Sequence, residues 1–267
     1  MRYCGREFTD EDIRLIQHLM ACDPDIHRKK LSQRFCEEIG WRKPDGGLKD
    51  MSCRVALLRM HRDGHISLPA PRRAHCKAGA GRTLLAEPQP EIMKKAGEYE
   101  LTIEPVGRGS SALWNEYIDR YHYLGYTPLP GAQLRYFIKS GDQVLALLGF
   151  GAAAWKTAPR DVHIGWDAGT RKKNLHLIVN NARFLILPWV RSKNLGSKIL
   201  SMVNRRICSD WRKRYNYEPV LLETFVEKER FLGTCYKAAN WTYVGDTKGR
   251  GKLDVRNECK LPVKGVW

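Results

Sequence analysis

Residues 182–226, ARFLILPWVRSKNLGSKILSMVNRRICSDWRKRYNYEPVLLETFV, read as strand, helix, strand. The apolar runs ARFLILPWV (182–190) and PVLLETFV (219–226) have strand length, and LGSKILSMVNRRICSDWRKRYN (195–216) between them is a helix. Upstream lie a helix over SALWNEYIDRYHY (111–123) and two strands, QLRYFIKS (133–140) and QVLALLGFGAAAW (143–155). Gly141-Asp142 between those strands marks a hairpin. A short helix is expected near TCYKAANW (234–241). Antiparallel strands followed by strand, helix, strand describe a mixed α+β sheet over 108–267, and no internal repeat is present.

Ahead of this domain, residues 1–70 predict a winged-helix module. FTDEDIRLIQHLMA (8–21) opens with Thr9 as N-cap and Asp10, Glu11 and Asp12 in the first turn, with Ile13, Ile16 and Met20 on one face. HRKKLSQRFCEEIGW (27–41) places Leu31, Phe35 and Ile39 at helical spacing. A third helix, from about Leu48 to His61, is expected to bury Met51, Val55 and Leu58 and to turn Lys49, Arg54, Arg59 and Arg62 outward. It ends at Asp63-Gly64 before an apolar strand, HISLP (65–69), which would form the wing. In such a fold the third helix enters the major groove, which makes Arg54, Arg59 and Arg62 candidate DNA contacts; the alternative is a plain three-helix bundle. Residues 71–107, rich in Pro, Ala and Gly, read as a basic linker whose Arg72, Arg73, Lys77 and Arg82 follow a phosphate backbone or stay solvated.

Forty-six Lys and Arg against 29 Asp and Glu give a net charge of +17, the footprint of a polyanion binder, and DNA is the expected partner. No run approaches the roughly 18 apolar residues of a membrane span. The start, MRYCGREFTDEDIRLI, turns acidic too early for a secretory signal, so a cytoplasmic protein is expected. Eight cysteines without a CxxC pair read as reduced thiols. His61, His65, His75 and Cys76 offer zinc-ligand types, but Asp63-Gly64 breaks the helix that would align the first two, and no metal ligands are assigned.

Tyr121-His122-Tyr123 closes a helix just before Gly125. A histidine exchanges a proton near pH 7 and a tyrosine serves as nucleophile or stacks on a base, so His122 and Tyr123 are catalytic candidates; packing of the helix on the sheet is the alternative. Asn180, Asn181 and Arg183 carry amides that match a base edge and a guanidinium that clamps phosphate, unless the protein's own backbone takes them. Glu223 stands inside VLLETFV, where an unpaired carboxylate is costly, so it is ion-paired or functional. Its functional roles would be acid–base catalysis or, with His122, Asp161 or Asp167, binding of Mg2+ or Mn2+ for phosphodiester cleavage, although no DxD or HUH-like signature is present. Cys235 begins a short helix after a glycine, where an open N-terminus lowers a thiol's pKa, while burial is the ordinary state of such a residue. Trp114, Trp155, Trp166, Trp189 and Trp241 are core candidates, and one beside Arg135 or Arg160 would stack on an extruded base.

The strings WNEYIDRYHYLGYTPLPGAQLRYFI (114–138), VLALLGFGAAAW (144–155), NLHLIVNNARFLILPWV (174–190), ETFVEKERFLGTCYKAANW (223–241) and GDTKGRGKL (245–253) closely resemble the DruA family, and residues 31–69 resemble its N-terminal module. That family comprises the Druantia anti-phage component and transposon-associated relatives, so the resemblance implies phage defence or transposition of a mobile element, with partner proteins of that system. The element order, a V-shaped mixed sheet with a helix entering after LILPWV, is similar to the GNAT acyltransferase fold, and YHYLGY (121–126) near a GFG strand is similar to its Mom-like, DNA-modifying members. In that fold the strand-to-helix turn holds the pyrophosphate of acetyl-CoA on a glycine-rich loop. Here the turn reads Val190-Arg191-Ser192-Lys193-Asn194-Leu195-Gly196, where Arg191 and Gly196 alone suit a phosphate cradle, which speaks against acetyl-CoA. Tyr236 occupies a place similar to the general-acid tyrosine of many GNAT proteins. Three functions follow: strand processing, Mom-like base modification, and a non-catalytic DNA-binding adaptor.

Overall fold

The computed structural model describes residues 1–71, 83–250 and 258–267. The chain divides into two compact units, Met1–Ala78 and Gly79–Trp267.

The first unit begins with a hairpin of β1 (Arg2–Tyr3) and β2 (Arg6–Glu7), followed by α1 (Asp10–Cys22), α2 (Arg28–Glu38) and α3 (Asp50–Arg62). Thr9 caps α1 as expected, in a reciprocal capping box: its hydroxyl accepts from Asp12 N at 3.3 Å, and the Asp12 carboxylate accepts from Thr9 N at 3.1 Å. Ile16, Leu31 and Phe35 are fully buried around Phe8, whose ring stacks on Phe35.

The buried face of α3 differs from the expected one. Cys53, Ala56, Leu57 and Met60 are buried, whereas Met51 and Val55 are 61% and 41% exposed. Positions 53, 56, 57 and 60 form a regular i, i+3, i+4, i+7 stripe, and the small Cys53 and Ala56 let α3 approach α2 closely. Arg59 and Arg62 are exposed. Arg54 is half-buried, reaching the Met51 sulfur and lying 3.9 Å from Asp50. The wing strand expected at 65–69 does not form. Ile66 instead buries itself in the bundle core, and the extra pairing among the described residues is one bridge between Arg42 and Leu48.

The second unit contains β3 (Ile92–Met93), β4 (Thr102–Pro105), α4 (Ser111–Tyr121), β5 (Leu134–Ser140), β6 (Gln143–Ala152), α5 (Ala158–Ile164) and α6 (Ala168–Asn174). It continues with β7 (Ile178–Ile186), β8 (Val190–Arg191), α7 (Leu195–Asn204), α8 (Ile207–Tyr215), β9 (Leu221–Glu227), α9 (Thr234–Ala238), β10 (Gly245–Asp246) and β11 (Lys264–Val266). A seven-stranded sheet has the order β4-β5-β6-β7-β9-β11-β10. All its neighbours are antiparallel except β7 and β9, so the sheet is mixed, as expected, and the Gly141-Asp142 hairpin joins β5 to β6. β6 is buried without a break from Val144 to Gly151, which requires cover on both faces. Trp114, Tyr117 and Ile118 of α4 and Ile199, Leu200 and Val203 of α7 belong to the core that covers it.

The stretch expected to be a linker is part of this unit beyond residue 83. β4 pairs with β5 along Thr102–Pro105, β3 pairs in parallel with β8, and Ala86, Tyr99 and Val106 are buried in the core. Its apolar residues are too widely spaced to show a period, yet each finds a place on the sheet domain. Arg72, Arg73, Lys77 and Arg82 lie outside the described residues.

Gly149 is dictated by packing. A Cβ there would lie 3.0 Å from Trp114 Cη2 and 3.2 Å from Leu129 Cδ1, and the fully buried indole has no room to yield. Gly149→Ala is expected to cost about 1–3 kcal/mol of stability, measured by urea unfolding. No helix among the described residues is long and apolar enough to cross a membrane.

Candidate active site

β7 and β9 pair over only four residues each, Ile178–Asn181 with Leu221–Thr224. Beyond that point both strands continue without pairing to one another. On its other side β7 carries a bulge: Gly149 pairs with Arg183 and Phe150 with Asn181, leaving Ala182 as an extra residue. A bulge bends its strand and re-aims side chains, and this one lies where the parallel pair separates. The opening is a cleft of about 440 Å³, lined by Asn181, Ala182, Phe184, Leu185 and Ile186 of β7, by β9 from Thr224 to Glu227, by the end of α4 and by the start of α9.

The cleft gathers His122, Tyr123, Asn181, Cys235 and Tyr236. The Tyr236 hydroxyl donates to Asn181 Oδ1 at 2.8 Å, and Thr224 Oγ1 lies 3.5 Å from the same phenol oxygen while donating to Asn181 O at 3.0 Å. Burial holds the Tyr236 phenol well above its usual pKa, so it stays protonated and serves as a hydrogen-bonding hydroxyl. Asn181 is oriented through Nδ2, which donates to Arg183 O at 3.2 Å and Gly149 O at 3.5 Å.

His122 is 9% exposed. Its Nδ1 accepts from Leu124 N at 3.2 Å, which places the proton of the neutral ring on Nε2. Burial, reinforced by the Arg183 charge, pulls its pKa down to about 4. At neutral pH His122 is therefore an uncharged N–H donor. The Tyr123 ring stacks on it at 4.9 Å and is itself 39% exposed.

The remaining candidates separate from the cleft or take structural roles. Cys235 is not an activated thiol: burial raises its pKa, and its Cβ packs 3.2 Å from the Cβ position of Gly196. Glu223 is 1% exposed and spent on an ion pair, accepting from Arg160 Nη1 at 2.9 Å and from Ala154 N at 3.1 Å. Asp161 joins the same cluster through Arg160 and Arg171, and Asp167 caps α6. The metal set imagined from Glu223, His122, Asp161 and Asp167 is thus not assembled, and among the described residues no three His, Cys, Asp or Glu converge as metal ligands.

Arg135 also turns inward, donating to Asn115 Oδ1 and Ser111 Oγ, both at 2.8 Å, with its guanidinium over the buried Trp114. Asn180 points away from Asn181, as alternate strand residues must, and its Oδ1 is buried without a partner. Arg191 is exposed and paired with Glu91 at 3.0 Å. Sequence reasoning passed over Thr224 and Phe231. The polar Thr224 next to Glu223 in an apolar strand was a usable signal, whereas Phe231 in a loop carried none.

The fold and cleft define a basic α+β protein that opens at the parallel strand pair of its mixed sheet and carries a helical N-terminal unit. The chain belongs to the DruA family: the family described as Druantia protein DruA matches residues 62–264, which include every cleft residue. That family is of a component of a multi-protein anti-phage defence system. No curated protein matches the chain.

Proposed function

We propose that this protein is a DNA-acting enzyme of such a defence system, and that it transfers a chemical group to DNA in the β7–β9 cleft on a GNAT-like scaffold. The observation that carries this reading is the parting of β7 and β9, the V-shaped opening by which the acyltransferase fold admits its reactants. The strand order, with an antiparallel run ahead of the parallel pair and helices α7 and α8 between its members, supports the same scaffold. DNA as acceptor rests on the +17 charge and on the first unit, read as a wingless helix-turn-helix-like module whose α3 offers Arg59 and Arg62 to solvent.

The α7 turn does not fit an acyl-CoA pyrophosphate. Leu195 is fully buried, Gly196 serves close packing on Cys235, and Arg191 is paired with Glu91. The chain's own groups act as follows: His122 Nε2–H donates to negative charge developing on the substrate, the protonated Tyr236 hydroxyl turns from Asn181 to donate a second hydrogen bond there, and Asn181 with Thr224 orients that phenol. Strand cleavage by Tyr123 is a second reading, favoured by its exposed phenol stacked on an imidazole.

DNA digested to nucleosides from cells expressing the chain is expected to contain a species of added mass, falling by about a hundredfold with His122→Ala or Tyr236→Phe. Unmodified DNA bearing a covalent tyrosine adduct would replace group transfer by strand cleavage. Unmodified DNA with no adduct would leave the adaptor role.

A further inference from the structure

The cleft floor is polar, but its mouth is not. Exposure rises along a row of rings, from 9% at His122 to 39% at Tyr123 and 50% at Phe231, and Leu232 beside it is 84% exposed. His122 and Tyr123 are stacked at 4.9 Å and 23°, and the Phe231 ring follows Tyr123 at 5.5 Å between centroids, tilted by 56°. Adjacent exposed Phe and Leu at the edge of a cleft mark a binding surface rather than core. The row ends on a ring with half its surface free, to which another flat π system can be added.

The charges beside the row are unequal. Arg230, 5.1 Å over the Tyr123 ring, is neutralised by Glu227 at 2.9 Å. Arg183 is not. Its Nη1 donates to Ala182 O and its Nη2 to Thr127 Oγ1, both at 2.8 Å, and its Nε is buried without a partner. None of the ion pairs among the described residues gives it a carboxylate. A half-buried guanidinium lacking a counter-ion is costly, and an anion binding there recovers the cost. Its charge already reaches His122 and Tyr123.

A flat π system and an anion together are the two parts of a nucleotide. We infer that the mouth of the cleft binds an unpaired nucleotide of a DNA strand, its base extending the row His122–Tyr123–Phe231 and its phosphate neutralising Arg183. This rests on the reading that the cleft acts on DNA. A paired base has both faces covered by its neighbours, so stacking on Phe231 requires a base outside the duplex stack. The volume of about 440 Å³ falls within the usual range for small-molecule sites, about 300–1,000 Å³. A strand rather than a free nucleotide follows from the +17 charge, which extends attraction well beyond one phosphate.

The test is fluorescence anisotropy of the full chain with a labelled single strand and with the same sequence as a perfect duplex, at several salt concentrations. Phe231→Ala is expected to weaken single-strand binding by about tenfold, within the range for loss of one base–aromatic stack, while duplex affinity changes less than about twofold. Phe231→Trp is expected to restore binding, and Arg183→Gln to reduce the single-strand salt slope by about 0.7. Unchanged single-strand affinity in Phe231→Ala, or an equal loss on duplex, overturns the inference. Full competition by a mononucleotide at the same phosphate concentration overturns the strand as the ligand. Phe231-dependent binding without any DNA modification would refute group transfer and leave this inference standing; modification unaffected by Phe231→Ala, with unchanged single-strand binding, would do the reverse.

Discussion

Arg160→Met is expected to lower the free energy of unfolding by about 3–5 kcal/mol at neutral pH, measured by urea denaturation. Arg160 and Glu223 are 2% and 1% exposed. The guanidinium donates to Glu223 Oε2 and Ala154 O at 2.9 Å, and to Asp161 Oδ1 at 2.7 and 3.0 Å. Methionine retains much of the bulk but none of the five-donor fork. Asp161 keeps Arg171 at 3.1 Å, so the uncompensated charge falls on Glu223. Burial already pushes the Glu223 carboxyl upward against the pull of Arg160, and without that cation it rises further. A carboxyl with a raised folded pKa contributes stability that is present below its unfolded pKa and lost as pH rises through the folded one. The deficit of the variant therefore shrinks on acidification. Arg160→Met combined with Glu223→Gln removes the orphaned charge and is expected to recover part of the loss. A deficit under about 1 kcal/mol with no pH dependence would show that the pair behaves as a solvated surface bridge.

His122 is expected to make the fold acid-sensitive. Its pKa is lowered from 6.5 to about 4, a difference of about 3 kcal/mol at about 1.4 kcal/mol per unit. For a depressed histidine the folded state binds fewer protons, so the stability is fully present above pH 6.5 and is lost as pH falls toward 4. Protonation also sets an Nδ1–H against the Leu124 N–H that Nδ1 now accepts. His122→Gln offers an amide oxygen to Leu124 N–H but does not titrate. The difference in unfolding free energy between the wild-type chain and this variant should close by about 3 kcal/mol, to within a factor of two, between pH 7 and pH 4. Parallel curves would place the imidazole in water. Imidazole NMR titration gives the same answer directly, as a midpoint near 4 or near 6.5.

These two effects show how the sequence and the structure divide the site. Glu223 stood out in VLLETFV as a residue that must be paired or functional, and it is paired. Arg160, its partner, is 63 residues away, and the sequence marks it only as a neighbour for an indole. The Asn181–Tyr236 hydrogen bond spans 55 residues, so each residue was legible as a candidate and their union was not. Cys235 failed as an activated thiol because burial, invisible in a glycine-led helix start, outweighs any effect of the five-residue α9. On α3, Met51, Val55 and Leu58 are apolar and helically spaced, as are Cys53, Leu57 and Met60. Only the approach of α2 selects between the two stripes.

From the sequence alone came the α+β class, the hairpin at Gly141-Asp142, the capped first helix, the net charge of +17 and the family. These depend on interactions between residues close in the chain, or on sums over it, which patterning and composition report. The tertiary structure alone decided that residues 84–106 join the sheet domain, that β7 and β9 part after four pairs, that a neutral His122 and a protonated Tyr236 meet at that opening, and that the charge of an unneutralised Arg183 reaches His122. Those outcomes are set by burial and by contacts across 50 or more residues, where desolvation and long-range pairing fix protonation and partners, and neither leaves a periodic trace in the chain.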